Sequence, residues 1–176
     1  MILNRQKAVP VDLPAARAFA RRLSRLLRLG KREFNVGIVN DREIRRLNST
    51  FRGKPRATDV LSFPWSQGAE GRARSSAGSE FKGFLGDVVI SAPTARRNAR
   101  AEGHSTRIEI CRLILHGVLH LLGYDHEPDR GEMSTLELSL RRRLAIEAPP
   151  GKGKKARGRV VSHSHVEAAS CRQVAR

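Results

Sequence analysis

The sequence predicts a single domain of mixed helix and strand, built around one buried helix and followed by a basic tail. Phe34 to Val39 alternates large apolar residues with smaller or polar ones, and Thr58 to Pro64 and Phe84 to Ser91 are short apolar runs; all three read as strands. Between them lie stretches whose apolar residues recur at helical spacing. Ser105 to Leu122 is apolar almost all round in its second half, so that helix belongs at the centre of the domain.

The elements follow in order. Residues 1–7 read as a short strand. Asp12 is placed to cap a helix, with Pro14 in its first turn, Leu13, Phe19, Leu23, Leu26 and Leu27 on its apolar side and Gly30 at its end. Arg17, Arg21, Arg22, Arg25 and Arg28 read as its solvated face, with an RNA-facing stripe as the other reading. Asn40 or Asp41 caps a second helix, to about Thr50, that buries Ile44 and Leu47. Phe51 to Arg56 is a basic loop, and Pro64 stops the strand after it. Ser66 to Gly83 lacks periodicity and reads as a flexible surface insertion. Helices follow at Thr94 to Glu102, with Pro93 near the first turn, and from Ser105 to the glycine at 123. A last amphipathic helix, Glu132 to about Ile146, is read through Leu136, Leu138, Leu140 and Leu144. Pro149-Pro150 marks the domain edge, giving a domain of residues 1–148 and a disordered basic tail of residues 149–176.

Composition narrows the class. Of 176 residues, 34 are Lys or Arg and 17 Asp or Glu, a formal charge of +17. Such an excess repels itself and favours polyanionic partners, nucleic acid above all. With 39% hydrophobic and 5% aromatic residues, the core must come mainly from Leu, Ile, Val and Phe. Cys111 and Cys171 form no framework, which fits a reducing cytoplasm. No apolar run approaches the ~20 residues of a membrane span, and Met1 to Arg5 opens no signal peptide. A cytoplasmic protein without membrane contact is expected.

The chemistry concentrates in Leu115 to His126. His116 and His120 stand four apart, on one face of the buried helix. Gly123 can turn the chain back sharply, so that His126 approaches the same point from a loop. Buried imidazoles without partners would cost roughly 1–3 kcal/mol each, which argues against a purely structural role. Three converging neutral imidazoles match a zinc site with three protein ligands and an open fourth position. The spacing is also that of the HExxHxxGxxH proteases, but Gly117 stands where their general-base glutamate would be. Met133 reads as packing rather than as a protease-type Met turn.

His116-Gly117-Val118-Leu119-His120-Leu121-Leu122-Gly123-Tyr124-Asp125-His126 resembles the HGxLHLxGYDH signature of the bacterial YbeY endoribonucleases. Asn48, Phe51-Arg52-Gly53-Lys54, Thr58-Asp59-Val60-Leu61-Ser62-Phe63-Pro64 and Leu85-Gly86-Asp87-Val88-Val89-Ile90 extend the resemblance over about residues 1–147. It implies an α+β fold, a small mixed β-sheet packed with helices around a metal site, as in metalloprotease-like catalytic folds. It implies a single-strand-specific, metal-dependent endoribonuclease of 16S rRNA 3′-end maturation and late ribosome quality control. One Zn²⁺ per chain would sit on His116, His120 and His126. The implied partners are ribosomal RNA, the small ribosomal subunit and a ribosome-assembly GTPase. The family's functional arginine maps to Arg52.

Arg52 and His116 are therefore the candidate catalytic residues. A guanidinium suits bidentate contact with the scissile phosphate, and Lys54 and Arg56 would extend the phosphate track. Asp125 either orients a histidine or water, or caps the turn. Asp59 reads as a backbone anchor at a strand edge rather than a general base. Rival readings are a zinc metallopeptidase and a non-catalytic RNA-binding ribosome assembly factor with a structural zinc.

Overall fold

A computed structural model describes residues 1–65, 83–124 and 131–146. The 66–82 insertion, Asp125, His126 and the 149–176 tail lie outside the described residues.

The order of elements is β1 (Ile2–Asn4), α1 (Leu13–Leu26), β2 (Glu33–Val39), α2 (Asp41–Arg52), β3 (Val60–Pro64), β4 (Phe84–Ser91), α3 (Ala92–Glu102), α4 (Thr106–Leu121) and α5 (Glu132–Leu144). The four strands form one sheet in the order β1-β2-β4-β3. β1, β2 and β4 run parallel, and β3 pairs antiparallel with β4 as the edge strand. This is the mixed sheet of an α+β fold. Pro64 closes β3, an edge position where the missing N–H does least harm.

Strand alternation assigns the two faces. Val60, Val88, Ile90, Val36 and Ile38 join the main core with α1, α4 and α5. Leu61, Phe63 and Val89 point the other way and pack with Ile44 and Leu47 of α2. α4 gives the main core more buried residues than any other element: Ile114, Leu115, Val118 and Leu119 are fully buried, each worth about 1.5–3 kcal/mol of apolar burial. Gly86 lets β3, β4 and α4 close together. Its φ is +137°, and a Cβ there would stand 2.2 Å from the Phe63 carbonyl oxygen and 3.0 Å from Leu121.

The caps follow the sequence in most places. Asp12 accepts from Ala15 N at 2.9 Å, and Asn40, not Asp41, caps α2 by accepting from Glu43 N at 2.9 Å. Asp41 instead accepts from Thr94 Oγ1 at 2.8 Å and from Ser91 Oγ, and pairs with Arg97 at 2.9 Å. Two expectations need correction. α1 ends at Leu26 rather than at Gly30, because Arg28 already turns into left-handed backbone. α5 buries Met133, Glu137, Leu140 and Leu144, while Leu138 is exposed. Its inner face thus includes a carboxylate, which a count of leucines passes over. Among the described residues no helix is long and apolar enough to cross a membrane.

Candidate metal centre

His116 and His120 lie one turn apart on α4, the second fully buried and the first partly so. Their Nε2 atoms face each other at 3.2 Å. Two ligands of a tetrahedral zinc, each ~2.0–2.1 Å from the ion, are separated by roughly this distance. Behind the pair, His116 Nδ1 lies 3.1 Å from Glu137 Oε2. A carboxylate only accepts, so Nδ1 carries the proton and the Nε2 lone pair points toward His120. Burial alone would raise the Glu137 carboxyl. The His116 hydrogen bond and the Arg141 guanidinium outweigh it and bring Glu137 down to about 2. Glu137 thus stays ionised, and it orients its imidazole as carboxylates do behind metal-bound histidines. The donor set fits a zinc ion. His126, the third ligand expected from the sequence, and Asp125 lie outside the described residues.

Gly117 has a steric reason to be glycine. A Cβ there would stand 2.5 Å from Val88 Cγ1 and 3.2 Å from Ser62 Oγ. Ser62 Oγ donates to the Gly117 carbonyl at 3.3 Å, so helix and edge strand touch without a side chain between them. The glutamate of the protease motif would have to stand where Val88 packs. Gly123, at φ +90°, makes the turn after α4 that the sequence assigns to it.

Arg52 ends α2, and Gly53 caps it in left-handed backbone. The buried Asn48 holds the basic loop by donating to the Arg56 carbonyl at 2.8 Å and accepting from Lys54 N at its own carbonyl at 3.3 Å. Phe51 packs edge-on against Phe63 at 5.2 Å. Leu121 reaches Gly86 beside the same Phe63. The C-terminal ends of α2 and α4 therefore meet the edge strand at one level, from its opposite faces. Lys54 is half-buried and Arg56 exposed. Asp59 anchors backbone as expected: it accepts from Val60 N at 2.9 Å and from Asn98 Nδ2 at 3.3 Å.

A second His/Glu group, absent from the sequence reading, lies at the start of α4. Glu102, His104 and Glu109 bring three potential ligand atoms within 4.8 Å of one another, an arrangement able to hold a metal ion. Arg112 already stands there, its guanidinium 2.8 Å from both Glu102 Oε2 and His104 Nε2. Burial, then the charge of Glu102, push the Glu109 carboxyl upward.

A family model described as Endoribonuclease YbeY matches residues 1–145. The chain belongs to the YbeY endoribonuclease family. The Endoribonuclease YbeY of Solibacter usitatus is 47% identical over 133 residues, covering 76% of this chain and 80% of the relative. That of Aquifex aeolicus is 52% identical over 103 residues, 57% of this chain and 61% of the relative. The solution structure of TM1509 from Thermotoga maritima superposes with a TM-score of 0.51 at 25% identity, over 87% of this chain and all of that one. Membership in YbeY places the chain among nuclease-type hydrolases and agrees with the mixed sheet. Glu137 is the residue of the centre that sequence reasoning missed. Its signal was the spacing Met133, Glu137, Leu140, Leu144, which sets a carboxylate on an otherwise apolar face.

Proposed function

We propose that the chain is a zinc-dependent, single-strand-specific endoribonuclease of 16S rRNA 3′-end maturation and late ribosome quality control. The small ribosomal subunit, its RNA and a ribosome-assembly GTPase are its proposed partners, in the cytoplasm. The observation that carries the metal-dependent reading is the Nε2 pair of His116 and His120 at 3.2 Å, with Glu137 behind it at 3.1 Å. His126 completes the proposed ligand set for one zinc per chain. Zinc supplies Lewis acidity toward a phosphoryl oxygen and lowers the pKa of water in its coordination shell.

The chain's own residues do the rest. Glu137 keeps the His116 proton on Nδ1, so that Nε2 serves as a donor. Arg52 clamps the scissile phosphate with its guanidinium, and Lys54 and Arg56 hold neighbouring phosphates. Asp125, next to His126 in the sequence, either orients a histidine or water, or caps the turn. Cleavage adds a water oxygen to phosphorus, breaks the bond to the leaving ribose oxygen and returns a proton to that oxygen. The peptidase reading loses ground at Gly117, because a general-base glutamate has no room against Val88.

The test incubates the purified protein with a single-stranded RNA, its duplex, and casein, each with and without a chelator. RNA-strand cleavage that stops with chelation and in His116→Ala is expected, with duplex and casein intact. Cleavage that survives both treatments would overturn the metal-dependent reading.

A further inference from the structure

The arginines of α2 divide from those of α1 by what they face. On α2, Arg42, Arg45, Arg46 and Ser49 fall on one side at helical spacing, opposite the buried Ile44 and Asn48. Together with Thr50 and Pro55 they line an open groove of about 830 Å³. All three arginines are exposed. Of the acidic side chains of this helix, Asp41 turns away to Ser91, Thr94 and Arg97, whereas Glu43 lines the groove and pairs with Arg46 at 2.9 Å, so that the groove keeps an excess of two positive charges. On α1, by contrast, Arg22 donates to the carbonyls of Arg143 at 2.8 Å and Leu144 at 3.2 Å, and Arg17 to that of Ile2 at 3.4 Å. Those two arginines bind the fold to itself.

We infer that the α2 groove seats the phosphate backbone of single-stranded RNA. This rests on the ribonuclease reading above and extends it to a second contact surface. The helix gives a track roughly 18 Å long. It runs from Asn40 to Arg52 and continues into the loop of Lys54 and Arg56. The guanidiniums of Arg42 and Arg45 offer paired donors to successive phosphates, Arg46 adds its charge beside Glu43, and the hydroxyls of Ser49 and Thr50 add neutral donors at the end nearer Arg52. Such contacts read backbone rather than base, so the groove lengthens the footprint without choosing a sequence.

The test compares the full chain with two charge-matched variants. One carries Arg42→Gln, Arg45→Gln and Arg46→Gln; the other carries Arg21→Gln and Arg25→Gln on α1 and Arg28→Gln just after it. The probe is a fluorescein-labelled phosphorothioate single-stranded RNA long enough to span the helix, titrated by anisotropy over a range of potassium chloride. Loss of three phosphate contacts should make the slope of log affinity against log salt shallower by about 2, and lower affinity roughly 10- to 100-fold at low salt. The α1 variant should change the slope by less than half as much. The α1 variant should cleave RNA at the wild-type rate. Equal slope changes in the two variants, or none in the α2 variant, would overturn the groove as a binding site. If the wild type cleaves no RNA while the slopes still differ, the ribonuclease reading falls and the groove stands as an RNA site.

Discussion

Two histidine clusters sit on or beside α4, and they are built from similar residues to opposite effect. Near the start of the helix, His104 Nε2 lies 3.2 Å from both Glu102 and Glu109. Its Nδ1 donates to the Ser105 carbonyl at 3.2 Å, and the Arg112 guanidinium stands 2.8 Å from Nε2. Arg112 also donates to the Ile146 carbonyl at 3.1 Å, which ties this cluster to the chain leaving α5. Three turns on, the His116 tautomer is fixed by Glu137. Its Nε2 meets another imidazole instead of a guanidinium, and the cation of that cluster, Arg141, stands on the far side of Glu137. One cluster has its positive charge in the middle; the other keeps it behind the carboxylate and turns nitrogen donors forward. Proximity of donors therefore marks both groups, but the position of the nearest fixed cation separates a structural knot from a candidate metal centre.

The largest expected effect breaks the symmetry directly. His120→Ala should lower RNA cleavage by at least on the order of 1,000-fold, while His104→Ala, measured in the same assay, should leave it within a few-fold of wild type. A comparable loss in His104→Ala would erase the distinction. Glu137→Gln comes next. It keeps the size of the side chain but weakens the acceptor behind His116, and zinc affinity should fall roughly 10- to 100-fold in competition with a chromophoric chelator. Unchanged affinity would mean that Glu137 serves the fold alone.

Gly117→Ala probes how the pair is seated. With Val88 Cγ1 at 2.5 Å from the new carbon, urea unfolding should show a loss of about 1–3 kcal/mol. A neutral result would place α4 farther from the sheet than described. The smallest effect belongs to Asp41, a carboxylate with purely structural partners. Burial raises its carboxyl, but bonds from Ser91, Thr94 and Arg97 outweigh this and hold it below its ordinary value of 3.8. Its contribution is complete above that value and is lost as pH falls through the lower folded one. Asp41→Asn should cost about 1 kcal/mol at neutral pH, and the gap to wild type should close in the acid range. A gap that stays constant down to acid pH would assign it to shape rather than charge.

Much of this was legible in the sequence. The i, i+4 histidines, the glycine turn and an apolar helix made α4 readable as both core and site. Short strands with alternating residues gave the sheet its members. Less legible was anything that depends on which elements touch. Gly117 reads in sequence only as a missing glutamate, whereas its cause is the Val88 side chain on β4. Glu137 went unread among the leucines of the last helix, because only the fold shows that this face turns toward His116. The knot of Glu102, His104, Glu109 and Arg112 escaped for the same reason: Glu102 and His104 precede α4, Glu109 lies in its first turn and Arg112 farther along it. Leu138 was misplaced because leucine spacing alone cannot say which side of a short helix is inside.

Metal analysis of the purified chain by inductively coupled plasma mass spectrometry tests the central claim most directly. The wild type, His116→Ala and His104→Ala would be measured side by side after extensive dialysis. The account predicts one zinc per chain in the wild type and in His104→Ala, and none in His116→Ala. Zinc retained in His116→Ala and lost in His104→Ala would contradict it and move the metal to the cluster at the start of α4.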